Sequence, residues 1–316
     1  PYLTVSDTGT AVYVSRAMGE ATVQWVDREG VTTPIRTGGE IIAGLRLSPD
    51  GRRAVFNDQQ GGTWLLDLTR GTIDVAIRPD ELFAVYPIWH PNGRELLVSS
   101  NVDGSWNLYS VDLSGRSVPE KILDRPNNQY AASMSSDGRL LAYVENHPET
   151  ALDVWIKPAE GDPYPVARSP ADESQPAISP DGGRIAYFSS ESGRAQIYLQ
   201  ELDGAGRIDV SIEGGEQPLW SLDGRELFFR RGDRLYSVDV SAEPSLTVSR
   251  PAEVFDLAIE SGNGFGITPY YDVSADGARF LVVTERSTTG FRVITNWFEE
   301  LNRRVPTSKN KSGEGR

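Results

Sequence analysis

The sequence predicts an all-β protein, a β-propeller of four-stranded antiparallel blades. Three observations carry this prediction: a repeated tight turn, its spacing, and the apolar segments on either side of it. The turns are Ser6-Asp7-Thr8-Gly9, Ser48-Pro49-Asp50-Gly51, His90-Pro91-Asn92-Gly93, Ser135-Ser136-Asp137-Gly138, Ser179-Pro180-Asp181-Gly182, Ser221-Leu222-Asp223-Gly224 and Ser274-Ala275-Asp276-Gly277. Successive glycines stand 42, 42, 45, 44, 42 and 53 residues apart. Strand-type units repeating every 40 to 50 residues or so are the mark of propeller blades.

Within one repeat each element follows from its residues. Proline at the second turn position presets φ, Asp or Asn binds its own backbone two residues on, and Gly accepts a positive φ, so the tetrapeptide closes a hairpin. The apolar residue before the turn, as in Leu47, Trp89, Ile178 and Trp220, ends an innermost strand. After the glycine come triplets such as Ala54-Val55-Phe56, Leu96-Leu97-Val98 and Ile185-Ala186-Tyr187, suited to a second strand covered on both faces by stacked sheets. A third strand carries an aromatic with an Asp a few residues on, as in Trp64-Leu65-Leu66-Asp67 and Tyr109-Ser110-Val111-Asp112. A weaker fourth, for example Val118 to Leu123, completes the blade.

Seven turns predict seven blades, with six as the alternative if one repeat is atypical. The last repeat offers two hairpin strands and a third from Phe291 to Trp297 before a short helical turn begins, so the seventh blade is expected to be incomplete. Because little precedes Leu3 and the chain opens on Pro1, the closing strand is expected upstream, in a longer parent chain. Residues 1–297 are assigned to a single propeller domain, and 298–316 to the helical turn and a basic, disordered tail.

Composition narrows the function. With 31 Lys and Arg against 45 Asp and Glu, the net charge is −14. That opposes nucleic acid and anionic membrane surfaces as partners, since those need a basic face to release counterions. No segment approaches the roughly 20 apolar residues of a membrane span, so direct membrane insertion of this chain is not expected. The absence of cysteine removes disulfides, thiol nucleophiles and Cys-type zinc sites. The two histidines are too few for a three-His zinc site. His90 stands where the repeat has serine and reads as a turn residue, while His147 lies in a loop before Pro148. Neither is accompanied by a Gly-x-Ser-x-Gly elbow, and the glycine-rich stretch 262–266 lacks dinucleotide-binding spacing. No catalytic residue, metal or cofactor is expected, and the chain reads as a non-enzyme.

The Ser-Pro-Asp-Gly hairpin running into an Ile-Ala-Tyr strand, clearest at Ser179 to Tyr187, resembles the repeat of TolB-type propellers of bacterial cell envelopes, over about Leu3 to Val283. The ending Val293-Ile294-Thr295-Asn296-Trp297-Phe298-Glu299-Glu300-Leu301 and the opening Val5-Ser6-Asp7-Thr8-Gly9-Thr10 further resemble the propeller appended to some bacterial transmembrane Ser/Thr protein kinases. The second resemblance implies an extracytoplasmic sensor tethered through an upstream membrane helix. The kinase's own Gly-rich loop, His-Arg-Asp and Asp-Phe-Gly motifs are absent here. The favoured expectation is a non-catalytic recognition domain of such a receptor. A TolB-like periplasmic protein-interaction scaffold is the alternative. A propeller-type carbohydrate-active enzyme is the third reading, and the sugar lyases it resembles rely on histidine-rich metal sites that two scattered histidines do not supply.

In a propeller the Asp-Gly hairpins share one face. The segments leading into the innermost strands, and the loops joining second to third strands, gather on the opposite face around the channel. The ligand site is expected at that mouth: Glu40, Tyr86, Asn128, Gln129, Tyr130, Glu173, Gln175, Glu216, Gln217, Tyr270 and Tyr271, with His147, Arg230 and Arg286 from the loops. Tyrosines and amides in a concave mouth suit a protein or a small polar ligand.

Overall fold

The computed structural model describes residues 3–17, 21–38, 43–58, 60–115, 118–204, 206–242, 245–256, 266–285 and 288–304. The chain divides into two compact units, one of Ala21–Thr284 and one of Pro1–Glu20 with Glu285–Arg316.

The larger unit is a ring of six antiparallel blades, A to F. Blade A comprises, from the channel outward, Ala43–Leu47, Arg53–Asn57, Thr63–Asp67 and Ile73–Ile77. Blade B comprises Ala84–Trp89, Glu95–Ser100, Asn107–Asp112 and Glu120–Leu123. Blade C has Asn128–Met134, Leu140–His147, Ala151–Pro158 and Tyr164–Ala167. Blade D has Glu173–Ile178, Arg184–Ser189, Gln196–Glu201 and Arg207–Asp209. Blade E has Glu216–Trp220, Glu226–Arg231 and Arg234–Ser241, whose two halves pair separately with Thr247–Val248 and Ala252–Asp256. Blade F joins Tyr271–Val273 and Arg279–Glu285 to Ala21–Asp27 and Thr32–Thr37.

Six blades replace the seven favoured from the turn count. The first turn, at Ser6 to Gly9, joins Leu3–Val5 to Ala11–Ala17 in a three-stranded sheet whose third member is Thr288–Ile294. The segment expected to be the last blade's third strand therefore pairs outside any blade. The helix Trp297–Arg304 follows it in the same smaller unit, with Trp297 N–H donating to the Gly9 carbonyl at 2.6 Å. Nor is the last blade incomplete. Its outer half is Ala21–Asp27 and Thr32–Thr37, which follow the first turn in sequence. Apolar alternation drives this closure: Ala21 and Val23 pack with Leu281, and Val26 with Phe280 and Val282, all buried. The basic tail beyond Arg304 lies outside the described residues.

The second strands are largely dry, and the triplets 54–56, 96–98 and 185–187 are buried throughout. The turns take the form their residues dictate. Ser48 Oγ donates to Asp50 Oδ1 at 2.6 Å and accepts the Arg53 N–H at 2.9 Å, while Asp50 Oδ1 accepts the Arg52 N–H at 3.1 Å. The Ser-to-Asp bond recurs at Ser135, Ser179, Ser221 and Ser274. His90 fills the serine's place in blade B, its Nδ1 accepting the Asn92 N–H at 3.2 Å.

Two expectations follow. A chain of residues 21–284 should retain a cooperative thermal unfolding transition, whereas residues 39–284, lacking the outer half of blade F, should not; equal melts for the two by circular dichroism would contradict the closure described. The second concerns acid. The Ser48, Ser135, Ser221 and Ser274 hydroxyls, with a following backbone N–H, hold Asp50, Asp137, Asp223 and Asp276 below the usual carboxylate range. Such groups stabilise the fold above their unfolded pKa, about 3.9, and cease to as the pH falls through the lower folded value. The thermal midpoint should therefore drop below about pH 4. A variant with all four residues changed to Asn, copying Asn92, should show a shallower acid limb in a pH series of melts.

Candidate functional site

The channel wall is shaped by a defect repeated in the innermost strands. Pairing of first to second strand shifts register in blades A to E, the signature of a β-bulge, which re-aims side chains. In four of these blades the bulge carries a left-handed backbone, at Gly44 (φ 73°), Tyr86 (52°), Gln175 (55°) and Gln217 (59°). Glycine adopts this freely. The other three hold it at roughly 1–2 kcal/mol each, and the two glutamines show how. Gln175 Oε1 accepts the Gln217 N–H at 2.6 Å, Gln217 Oε1 accepts the Tyr270 N–H at 3.2 Å, and the Tyr271 hydroxyl donates to the Gln217 carbonyl at 2.7 Å. Blades D, E and F are laced together by this relay.

The residues expected to meet a ligand thus divide into two groups. Gln129, Glu173, Gln175, Gln217, Tyr271 and Arg230 are buried in the wall. Gln129 Nε2 donates to the Asn127 carbonyl, Glu173 takes the Ser169 N–H and hydroxyl, and Arg230 Nε donates to the Gly232 carbonyl at 2.6 Å. Burial pushes Glu173 and Tyr271 above their ordinary values. Tyr86, Asn128, Tyr130, His147, Glu216 and Tyr270 are half-buried. His147 closes its own loop, Nδ1 accepting the Glu149 N–H at 3.2 Å. Glu40 and Arg286 lie outside the described residues.

That mouth is crossed by the chain itself. Ile267, just before the innermost strand of blade F, packs against Ala132 and Val144 of blade C with Tyr86, Tyr130 and Leu152 around it. Blades C and F stand opposite each other in a ring of six, so this contact spans the channel. Tyr86, Tyr130, Trp106 and Phe83 form a chain of ring contacts at 5.8 to 6.0 Å beside it.

The open end lies on the hairpin face. A cavity of about 370 Å³ is rimmed there by the second residue of every blade's turn, Pro49, Pro91, Ser136, Pro180, Leu222 and Ala275. Its wall is the last residues of the innermost strands, including Ile88, Trp89, Met134, Ile178, Leu219 and Trp220. Arg46 and Asp272 are the charged side chains that line it. Arg46 is 8% exposed, and its Nη1 donates to the carbonyls of Leu45 (2.8 Å), Pro269 (3.1 Å) and Tyr271 (3.3 Å). Asp272 accepts the N–H groups of Leu47 at 2.7 Å and Val273 at 2.8 Å. Burial pushes Arg46 down and Asp272 up from their ordinary values. Among the described residues no three His, Asp or Glu side chains converge as a metal site would require. The sequence reading overlooked this funnel although a signal was present: the second turn position is a column of Pro, Leu, Ala and Ser, small or apolar where an exposed hairpin tip has no need to be.

No protein-family model matches the chain. Over 118 residues it is 34% identical to the Tol-Pal system protein TolB of Hydrogenovibrio crunogenus, a match covering 36% of this chain and 27% of that protein. A putative TolB from Agrobacterium tumefaciens superposes with a TM-score of 0.69 at 19% identity, covering 84% of this chain and 98% of that one. The chain is a TolB-like β-propeller. It spans little more than a quarter of the curated relative's length. The fold also serves enzymes: an oligogalacturonate lyase in complex with manganese superposes at a TM-score of 0.53 and 14% identity, over 87% of this chain and 75% of that one.

The glutamine relay is testable. Gln175→Ala keeps the left-handed backbone but leaves the buried Gln217 N–H without an acceptor, a loss of about 1–3 kcal/mol and of several degrees in thermal midpoint. Gln175→Gly should lose less, because it relieves the backbone. A midpoint for Gln175→Ala equal to that of the unsubstituted protein would remove any structural role for the 2.6 Å contact.

Proposed function

We propose that this propeller is a non-catalytic protein-interaction module that receives a segment of a partner protein in its hairpin-face funnel, in the manner of an envelope scaffold. The observation that carries this reading is the funnel itself: an open, apolar concavity to which all six blades contribute through the same turn position. Apolar walls with few polar groups suit the side chains of an inserted peptide. The similarity to proteins of the Tol-Pal system supports an extracytoplasmic location, in the periplasm of a bacterial envelope. The receptor-sensor version, with a kinase and a membrane helix in the parent chain, uses the same binding act. It rests on the segments at Val5 to Thr10 and Val293 to Leu301 alone, and neither the TolB relative nor the TolB structure adds to it. The mouth around Tyr86 and Tyr130 is the lesser candidate, since Ile267 already fills its centre.

A photo-crosslinking amino acid at exposed Leu222, on the funnel rim, should capture a discrete protein from cell-envelope extract, whereas one at exposed Val118, which lies outside the funnel lining, should not. Ala275→Arg should abolish that capture with the thermal midpoint moving by no more than a few degrees. Equal capture at both positions, or capture indifferent to Ala275→Arg, would rule the funnel out.

A further inference from the structure

The wall of the funnel holds a buried cation, Arg46, whose donors are only partly engaged. Arg46 is nine-tenths buried, yet no carboxylate forms a salt bridge with it among the described residues. Its neighbour Asp272 has both oxygens committed elsewhere, to the N–H groups of Leu47 and Val273. Only Nη1 of Arg46 is engaged, by three carbonyls: Leu45 in blade A, and Pro269 and Tyr271 in blade F. Nε and Nη2 have no acceptor among the described residues, and Arg46 lines the cavity. Asp272 attracts the guanidinium through space but does not bond to it, and buried donors left without acceptors are costly. Its planar fork matches a carboxylate in two parallel bonds.

We infer that Arg46 reads a carboxylate on the segment that enters the funnel, so that the preferred occupant is a mostly apolar peptide stretch carrying one acidic group. The inference rests on the reading of the funnel as a peptide site. The wall decides for a peptide over an acidic sugar. Ile88, Trp89, Met134, Leu219 and Trp220 offer apolar area, whereas a uronate needs hydrogen-bonding partners for every hydroxyl, and the lining supplies few beyond Ser48, Ser133 and Ser136. The carboxylate belongs to an acidic side chain or to a chain terminus, and the two are separable by synthesis.

The test uses the full chain and four N-acetylated peptides measured by calorimetry or NMR titration: Ac-Pro-Leu-Asp-Leu-NH2, its Asn counterpart, the Asn peptide with a free terminal carboxylate, and an all-amide Gln control. Binding at least tenfold tighter for the Asp peptide than for the Asn peptide assigns the side chain. The same gain for the free-terminus peptide alone assigns the terminus. Arg46→Lys, which keeps the charge but loses the fork, should shrink either ratio to within about threefold. Because Arg46 also ties blade A to blade F, its thermal midpoint is measured alongside, and the ratio between peptides on the unsubstituted protein stands whatever that variant does. Equal binding of acidic and amide peptides overturns the carboxylate inference while leaving the funnel reading intact. No peptide binding, or binding only of an oligogalacturonate added as a fifth probe, overturns it as well, and the Leu222 crosslink then reports separately whether the funnel takes a protein at all.

Discussion

Neighbouring innermost strands around a channel belong to different sheets, so no backbone ladder can join them, and this one constraint organises the rest of the propeller. What joins them is a set of side chains reaching to backbone. Asp272 Oδ2 takes the Leu47 N–H from blade F to A, Trp89 Nε1 donates to the Arg46 carbonyl at 3.1 Å from B to A, and Ser133 Oγ takes the Ile178 N–H at 3.1 Å from D to C. Trp220 Nε1 donates to the Ala177 carbonyl at 3.0 Å between D and E, and the two glutamines continue the ring to F. Each is a bond to a buried backbone group, which is costly to leave unpaired. These junctions between blades rest on specific side-chain chemistry rather than on sheet propensity.

The strained backbone follows from the same need. A straight inner strand alternates its side chains between the two faces of its blade. The bulges at Gly44, Tyr86, Gln175 and Gln217 break that alternation, which lets an amide turn sideways to meet the next blade. Where the residue is Gly44, the crowding is visible: an added Cβ would stand 2.9 Å from Pro87 Cδ of the adjacent blade. Tight blade-to-blade contact and a left-handed backbone are thus two aspects of one geometry. The Asp-Gly hairpins reinforce it, with Arg53 stacked over Trp89 at 5.0 Å and Arg184 over Trp220 at 5.5 Å, each bridging one blade to the next.

The channel's two ends acquire opposite characters from this packing. On one side Ile267 crosses to blade C and the glutamine relay fills the wall, leaving tyrosines at the edge. On the other, the second residues of the six turns rim an apolar funnel whose wall carries two charged side chains, Arg46 and Asp272.

The sequence alone determined the blade. Ser-x-Asp-Gly, a buried triplet and an aromatic third strand are local signals, since turn chemistry and period-two burial act over a few residues, and the turns form as their residues require. Local signals do not say which partner a strand chooses. Ala21–Asp27 reads equally well as the third strand of a first repeat or the third strand of the last, and only packing against Leu281 and Phe280 selects the latter and makes six blades of seven turns. The same limit applied to the site. Gln175 and Gln217 look like exposed amides in a list of residues, and become wall bonds only when blades D, E and F are adjacent. Arg46 is one of many arginines by composition, and becomes a buried charge with unengaged donors only because Asp272, which attracts it through space, is bonded to two backbone amides. Periodicity fixes what each unit is. Ring closure decides what each residue faces, because the contacts that matter join residues some forty to more than two hundred positions apart.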